Sequence, residues 1–337
     1  MQLPSEIWVG IIEYVCGIPY DGVLLQELKE TFRLRRVSPY VKLLVDEHLL
    51  AKVRKLSVRT TLCPINDEGM SLFKGVKYLF LNRGALSRTR SSLGECIGQF
   101  TALRVLEIGS SNALAVRDVL PSLICLEKLG LSYNTALRDE DLVCLAPCLK
   151  HLILREDGAI TGSCLESLTQ LKKLRLSTYC SRFNHRALER VTPRLVSLAL
   201  IGNDNALTSE TLRRMTTLRK LVVACSRTQL DYTQFTQLRS LSVSYDSVIT
   251  DAILATMTRL TSLALSQCVR VEGTFLKSLS PTLGKLSLLG ISCTSVDTLL
   301  QFTQIQEVAY APHRSLTLRE TACFDKLGER GCTLRLS

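Results

Sequence analysis

Residues 238–279 read LRSLSVSYDSVITDAILATMTRLTSLALSQCVRVEGTFLKSL, and this stretch decides the fold. It contains the pattern L-x-x-L-x-L twice, with aliphatic residues in the leucine positions, first from Leu238 and again from Leu260. Side chains on a strand alternate between two faces, so the last two apolar positions of the pattern point to the same side of a short strand. One such strand cannot bury its apolar face alone. We therefore expect successive copies of the pattern to stack on one another.

The same pattern returns along most of the chain. Twelve consecutive copies are separated by 20 to 27 residues. They begin at Val53, Val76, Leu103, Leu126, Leu149, Leu171, Leu195, Leu218, Leu238, Leu260, Leu283 and Ile305. A period in this range, with this internal spacing, is the signature of leucine-rich repeats. We therefore predict an α/β leucine-rich-repeat solenoid, in which the strands form a curved parallel sheet and the segments between them return as outer helices.

A polar or sulfur-bearing residue follows several of the predicted strands. The residues at this position are Asn134, Asp157, Asn203, Asp246 and Cys268. Their side chains are suited to satisfy backbone groups at the turn. Together with following segments such as VITDAILATM, they resemble the cysteine-containing subtype of leucine-rich repeat, whose consensus is L-x-x-L-x-L-x-x-C-x-x-I-T-D-x-G-L. The predicted repeat domain covers residues 53–337, with about 12 repeats and a short C-terminal cap.

The composition indicates a soluble protein with an aliphatic core. Of the 337 residues, 46% are hydrophobic and 6% are aromatic. No apolar run approaches the roughly 20 residues that span a bilayer. The first residues also lack the pattern of a secretory signal peptide. We therefore expect no membrane segment and no export.

The chain has 13 cysteines but no CxxC pair. Cys144 and Cys148 lie one helical turn apart with His151 nearby, but a fourth metal ligand is missing. We interpret the cysteines as small apolar residues in a reducing compartment, the cytoplasm or the nucleus. The sequence therefore predicts no metal site and no cofactor.

Residues 1–52 do not carry the repeat, and their apolar residues recur at helical spacing. Three helix faces are predicted: Ile7, Ile11, Ile12 and Val15; Leu24, Leu25 and Leu28; and Leu34, Val37, Val41 and Leu44. One interpretation is a helical cap that shields the first strand of the solenoid from water and from edge pairing.

A second interpretation rests on two short motifs in the same segment. Leu3-Pro4-Ser5-Glu6-Ile7 and Leu34-Arg35-Arg36-Val37-Ser38 resemble the L-P-x-E-[IL] and L-R-x-V-S stretches of an F-box. The resemblance to the F-box/leucine-rich-repeat family implies docking on a Skp-type adaptor, which links the chain to a cullin and a RING subunit, while the repeats hold a protein substrate. It implies adaptor contacts by the following residues: Leu3, Pro4, Ile7, Ile11, Val15, Leu34 and Val37.

The side chains that alternate with the core leucines are predicted to face the concave surface. Lysine occupies five of the twelve positions that directly precede the second leucine, which fits either a binding face or an ordinary solvated one. Aromatic residues and arginine are typical interface anchors, and the amino-terminal half of this face is basic and carries aromatic residues. On this basis we predict substrate contacts by Tyr78, Phe80, Lys128, His151, Arg155, Lys173 and Arg175. The net charge of +11 favours an acidic or phosphorylated protein partner.

The sequence contains no GxGxxG, HExxH, GxSxG or Walker-type motif, and its four histidines are far apart in the chain. We therefore predict that the chain is not an enzyme. We do not expect nucleic acid as the partner, because the basic residues are spread along the repeats without a known nucleic-acid module. The predicted function is the substrate-recognition subunit of an SCF-type cullin–RING E3 ubiquitin ligase. The alternative is a stand-alone repeat scaffold or inhibitor.

Overall fold

The structure is a computed structural model of the chain. It describes residues 23–24, 39–58, 72–81, 97–109, 116–177, 180, 182–202, 209–224, 230–279, 283–291, 296–312 and 314–336. The chain forms two compact units, Met1–Leu171 and Lys172–Ser337, and each has a buried apolar core.

In the first unit, the strands among the described residues are parallel and pair with one another in chain order. They are β1 (Val23–Leu24), β2 (Lys55–Val58), β3 (Tyr78–Leu81), β4 (Val105–Gly109), β5 (Lys128–Ser132) and β6 (His151–Arg155). The helices are α1 (Pro39–Leu44), which continues as a π-helix (Val45–Leu49) and a 3-10 turn (Leu50–Lys52), and α2 (Asp139–Leu142). Further 3-10 turns are Arg117–Ser122, Val143–Leu145 and Ser163–Glu166.

The second unit repeats this arrangement with parallel strands that again pair in chain order. They are β7 (Lys173–Ser177), β8 (Ser197–Ile201), β9 (Lys220–Ala224), β10 (Ser240–Ser244), β11 (Ser262–Ser266), β12 (Lys285–Leu289), β13 (Glu307–Ala311) and β14 (Thr333–Leu336). The helices are α3 (His185–Glu189), α4 (Ser209–Arg213), α5 (Asp251–Ala255) and α6 (Leu318–Glu329). The 3-10 turns are Thr192–Arg194, Thr274–Ser278 and Val296–Gln301.

The predicted leucine-rich-repeat solenoid is confirmed strand by strand. Each of β2–β13 begins two residues after the start of a sequence pattern, and the pairing register places equivalent positions opposite each other, as Lys128 lies opposite His151. Pattern residues whose burial is described are at most 3% exposed, except for the half-buried Ile305. Truncation of one such leucine to alanine typically costs about 2–5 kcal/mol. The repeated apolar residues therefore form the continuous core of each unit.

The polar position after the strand closes the turn, as predicted. Asn134 is buried, and its Oδ1 accepts hydrogen bonds from the N–H groups of Ala136 and Leu137 at 3.0 and 2.9 Å. Its Nδ2 donates to Asp157 Oδ2 in the next repeat at 3.0 Å. The other predicted turn residues that the structure describes are also buried: Asp157, Asp246 and Cys268. Asn203 lies outside the described residues.

The segments that return between strands are shorter than full helices. The α5 helix has five residues, and several repeats have only a 3-10 turn at this position. A five-residue strand and its turns occupy much of a repeat of about 22 residues, so little more than one helical turn fits. Among the described helices, α6 is the longest with 12 residues, and it lies in the C-terminal cap.

The described part of residues 1–52 is partly helical. The α1 helix begins at Pro39, where proline is tolerated because the first helical N–H groups have no partner within the helix. Leu24, which we expected on a helix face, instead belongs to β1 and lies opposite Ser57 of β2. That part of the helical prediction was wrong, because pairing along the edge of β2 outweighed the local helical spacing. The predicted boundary at residue 52 stays a prediction.

Candidate functional site

The side chains that alternate with the core on β3–β6 form the exposed face of the first unit. Tyr78 is 39% exposed, and Phe80 is half-buried with the Nζ of Lys55 lying 5.7 Å from its ring centre. A cation at this distance over an aromatic ring is attracted to it. His151 and Ile153 are half-buried on the same face of β6. This strand face therefore has partly exposed aromatic side chains on β3 and partly exposed His151 and Ile153 on β6.

Between these residues lies a group of three charged side chains, Glu107, Lys128 and Arg155, which we term the Glu107 cluster. They come from β4, β5 and β6 in turn. Lys128 Nζ donates to Glu107 Oε1 at 2.7 Å, and Arg155 Nη1 donates to Glu107 Oε2 at 3.4 Å. Two cations share one carboxylate, so the formal charge of the cluster is +1.

Gly130 of β5 makes room for this arrangement. It is the register partner of Glu107, and a Cβ atom at Gly130 would lie 2.9 Å from Glu107 Cγ. Real Cβ atoms essentially never approach another heavy atom so closely. Because glycine has no side chain, Glu107 can lie over β5 and reach Arg155, which is two strands away.

The electrostatics of the cluster keep Glu107 ionised. Burial raises the pKa of its carboxyl, but the hydrogen bond and charge of Lys128 and the charge of Arg155 together lower that pKa below its ordinary value of 4.5. The carboxylate offsets the repulsion between the two cations and holds them in fixed positions. Arg155 is therefore preorganised before any partner arrives.

A cavity of about 310 Å³ adjoins the Glu107 cluster at the carboxyl ends of β3–β6. Its lining residues are Leu81, Glu107, Ile108, Gly109, Ser132, Tyr133 and Arg155. Tyr133 has a positive φ of 55°, which is uncommon for a bulky residue, and its N–H donates to the Arg155 carbonyl oxygen at 2.8 Å. The side chain of Tyr133 is 36% exposed. The cavity thus combines an arginine with an exposed aromatic ring.

The predicted substrate-contact residues divide between the two units. The first unit carries Tyr78, Phe80, Lys128, His151 and Arg155 on its strand face. Lys173 and Arg175 are exposed on β7 of the second unit, where Arg175 Nε donates to Ser177 Oγ at 3.3 Å. The predicted adaptor contacts all lie outside the described residues: Leu3, Pro4, Ile7, Ile11, Val15, Leu34 and Val37.

Sequence reasoning did not select Glu107, Gly130 or Tyr133 as site residues. The repeat register could have placed Glu107 beside Lys128, because the two residues are diagonal neighbours on the same face of adjacent strands. The contact between Glu107 and Arg155 depends on the space above Gly130, and the repeat pattern does not predict that space. Tyr133 directly follows a strand, and its left-handed conformation gave no sequence signal of its own.

The described residues contain no group of three or more side chains placed to hold a metal ion. The thiols of Cys144 and Cys148 donate to the carbonyl oxygens of Asp141 and Leu145 at 3.2 and 3.5 Å. Burial raises the pKa of both thiols, which favours the neutral form over the thiolate that binds metals. In the same described ranges, no helix has the length and apolarity needed to cross a membrane.

Comparison with solved structures shows likeness to leucine-rich-repeat proteins. An internalin, InlF of Listeria monocytogenes, is 19% identical with a TM-score of 0.53, covering 86% of this chain and 83% of that one. TLR13, in a complex with ssRNA13, is 18% identical with a TM-score of 0.50, covering 85% of this chain and 47% of that one. The leucine-rich-repeat protein LIC12759 of Leptospira interrogans is 17% identical with a TM-score of 0.46, covering 88% and 86%.

No protein-family model and no curated protein matches the chain in sequence. At these levels of identity the structural likeness shows the fold alone, and the fold is that of a leucine-rich-repeat protein.

Proposed function

We propose that this chain is a receptor that binds a protein partner on the exposed strand face of its first unit. The observation that carries the proposal is the Glu107 cluster, which lies beside the aromatic pair Tyr78 and Phe80. Arginine and aromatic residues are frequent energetic centres of protein interfaces, and preorganised side chains lose less entropy on binding. The net charge of +11 supports an acidic or phosphorylated partner through long-range attraction.

We further propose that the receptor is the substrate-recognition subunit of an SCF-type cullin–RING E3 ubiquitin ligase. The support is the pair of F-box-like motifs, Leu3-Pro4-Ser5-Glu6-Ile7 and Leu34-Arg35-Arg36-Val37-Ser38. In this proposal the amino-terminal segment docks on a Skp-type adaptor and the repeats hold the substrate. The chain itself supplies binding and orientation, while ubiquitin transfer is performed by the cullin–RING assembly.

Copurification of the full chain with a recombinant Skp-type adaptor tests this second proposal. The Leu3→Ala/Pro4→Ala variant should lose the adaptor, because it removes apolar surface from the first motif. Leu318→Ala is a matched control, since Leu318 is 91% exposed on the C-terminal cap. Adaptor binding that needs Leu3 and Pro4 but not Leu318 supports the ligase proposal.

Absence of adaptor binding would favour the alternative, a stand-alone repeat scaffold or inhibitor. The two also differ in cells. A ligase receptor lowers the amount of its bound partner when the proteasome is active, whereas a scaffold leaves that amount unchanged. Binding of a partner to the strand face is common to both, so it is tested separately from the adaptor.

A further inference from the structure

We infer that the cavity at the carboxyl ends of β3–β6 receives the carboxylate of an aspartate or glutamate side chain of the protein partner. The inference rests on the proposed receptor function, because it names the chemical group that the strand face recognises. It does not depend on the adaptor or on ubiquitination. Three features of the cavity support it: its hydrogen-bond donors, its charge and its aromatic wall.

The donors come from Arg155. Its guanidinium carries five N–H groups in a planar fork that matches a carboxylate. Among the described residues, its side chain is hydrogen-bonded to Glu107 alone, through Nη1 at 3.4 Å. Arg155 lines the cavity, and its side chain is 38% exposed, so N–H groups remain for a partner. Ser132 in the same wall carries a hydroxyl that can also donate.

The charge of the Glu107 cluster favours a monoanion. Lys128 and Arg155 carry two positive charges, and Glu107 carries one negative charge. A carboxylate brings this local sum to zero, whereas a phosphoryl group with a charge near −2 would leave a net negative site beside Glu107. Repulsion between like charges that are partly shielded from water amounts to several kcal/mol at short range. A carboxylate therefore fits this cavity better than a phosphate does.

The cavity has room for an acidic side chain and one exposed aromatic wall to pack against it. Its volume of about 310 Å³ is at the lower end of ligand sites, which range from about 300 to 1,000 Å³. Tyr133 supplies an exposed aromatic wall, whereas the side chains of Leu81 and Ile108 are only 2% exposed and belong to the core. The Tyr133 ring can pack against the methylene carbons of an acidic residue while the carboxylate meets Arg155. We therefore expect a peptide segment that inserts an acidic side chain.

Selection of random dodecapeptides on phage with the purified full chain tests the inference. The best peptide is then synthesised with fluorescein in four forms: with its acidic residue intact, replaced by the matching amide, replaced by phosphoserine, and replaced by alanine. Affinities are measured by fluorescence anisotropy for the wild type, Arg155→Ala, Arg155→Lys and Arg104→Ala. Arg104 is a matched control, because it is an exposed arginine of the same unit paired with Glu127 at 3.8 Å, outside the cavity lining.

We expect an acidic residue at one fixed position of the selected peptides. Its replacement by the amide should weaken binding by about tenfold to a hundredfold, which is the usual worth of a charged hydrogen bond. Arg155→Ala should abolish the difference between acid and amide, and Arg155→Lys should retain only part of it because lysine lacks the planar fork. Arg104→Ala should bind all four peptides as the wild type does.

Several results would overturn the inference. The first is a set of selected peptides without a fixed acidic position, and the second is an acid-to-amide difference that survives in Arg155→Ala. The third is tighter binding of the phosphoserine peptide than of the acidic one. The fourth is displacement of the labelled peptide by a single-stranded RNA oligonucleotide at a lower concentration than by the same peptide without fluorescein. The receptor proposal would survive the first three of these, since peptide would still bind the chain. None of the Arg155 variants should change adaptor binding, because Arg155 lines the cavity whereas the adaptor is proposed to bind the amino-terminal segment.

Discussion

Asp139 links two neighbouring repeats through hydrogen bonds whose contribution to stability can be worked out one by one. It is the first residue of α2, and its side chain is buried. Its carboxylate accepts four hydrogen bonds from the next repeat. They come from Thr161 N–H at 2.8 Å, Thr161 Oγ1 at 3.0 Å, Gly162 N–H at 2.9 Å and Cys164 N–H at 3.0 Å.

Asp139→Ala removes the acceptor of all four bonds. A hydrogen bond contributes about 1 kcal/mol net to stability, and more when a buried donor is left unsatisfied. We therefore expect the free energy of unfolding to fall by about 4 kcal/mol. Asp251 has the same role in the second unit, where among the described residues it accepts bonds from Glu272 N–H at 2.8 Å and Phe275 N–H at 3.0 Å. Asp251→Ala should therefore cost about half as much.

Urea unfolding of the full chain, followed by circular dichroism, measures both effects. Glu140→Ala is the control, because Glu140 is exposed next to Asp139 and should change stability by less than about 0.5 kcal/mol. The reasoning fails if Asp139→Ala costs no more than Glu140→Ala. It also fails if Asp251→Ala costs more than Asp139→Ala, since the effect would then not follow the number of bonds.

The pH dependence of Asp139 gives an independent check. Burial raises the pKa of its carboxyl, but the N–H groups of Cys164 and Thr161 outweigh this and lower that pKa below 3.8. An acid whose pKa is lower in the folded state stabilises the fold at neutral pH, and this contribution is lost as pH falls through the folded value. The difference in unfolding free energy between wild type and Asp139→Asn should therefore shrink below about pH 4.

Three further predictions concern other carboxylates and the glycine beside one of them. Glu107→Gln should cost about 1 kcal/mol in urea unfolding, less at high salt, because its ion pairs are partly exposed. Gly130→Ala should change stability by less than about 1 kcal/mol. It should raise the pKa of Glu107 towards 4.5 in a carboxyl NMR titration, because the new Cβ displaces the Glu107 side chain. Gly284→Ala is the control and should leave the pKa of Glu107 unchanged, since its Cβ would meet nothing closer than 3.6 Å. Glu320→Gln should cost about 1–3 kcal/mol, because Glu320 accepts a bond from the Tyr310 hydroxyl at 2.7 Å. Despite burial, its bonded partners lower the pKa of Glu320 to about 2, so this cost should diminish as pH falls from 4.5 to 2.

The strand positions could be predicted because they depend on local alternation and on repetition. Each strand needs only that two apolar side chains point the same way and that the next repeat does the same, as Leu129 and Leu131 do opposite Leu152 and Leu154. The turn residue Asn134 follows from the same logic, because every turn leaves N–H groups to be satisfied. These features recur in each repeat, so the sequence reports them many times.

The site could be predicted only in part, because its decisive contacts occur once. Lys128 and Arg155 were selected as basic residues of the strand face, but the carboxylate that joins them was not. Its position depends on the absence of a side chain at Gly130, which is a matter of space rather than of pattern. The strand at Val23–Leu24 escaped prediction for a similar reason, since it depends on the open edge of β2.

Asp139 and Glu107 illustrate how two carboxylates of one unit can serve different ends. Asp139 is buried and bonded to backbone groups of the next repeat, so its removal should unfold the unit before it affects a partner. Within the described ranges Glu107 is bonded to the side chains of Lys128 and Arg155, and these pairs contribute about 1 kcal/mol to the fold. Without it, however, Arg155 is neither held beside the cavity nor relieved of repulsion from Lys128. Glu107→Gln raises the formal charge of the cluster from +1 to +2, so it should narrow the preference for a carboxylate over a phosphoserine peptide in the anisotropy assay while costing the fold only about 1 kcal/mol. A purely structural carboxylate would leave that preference unchanged.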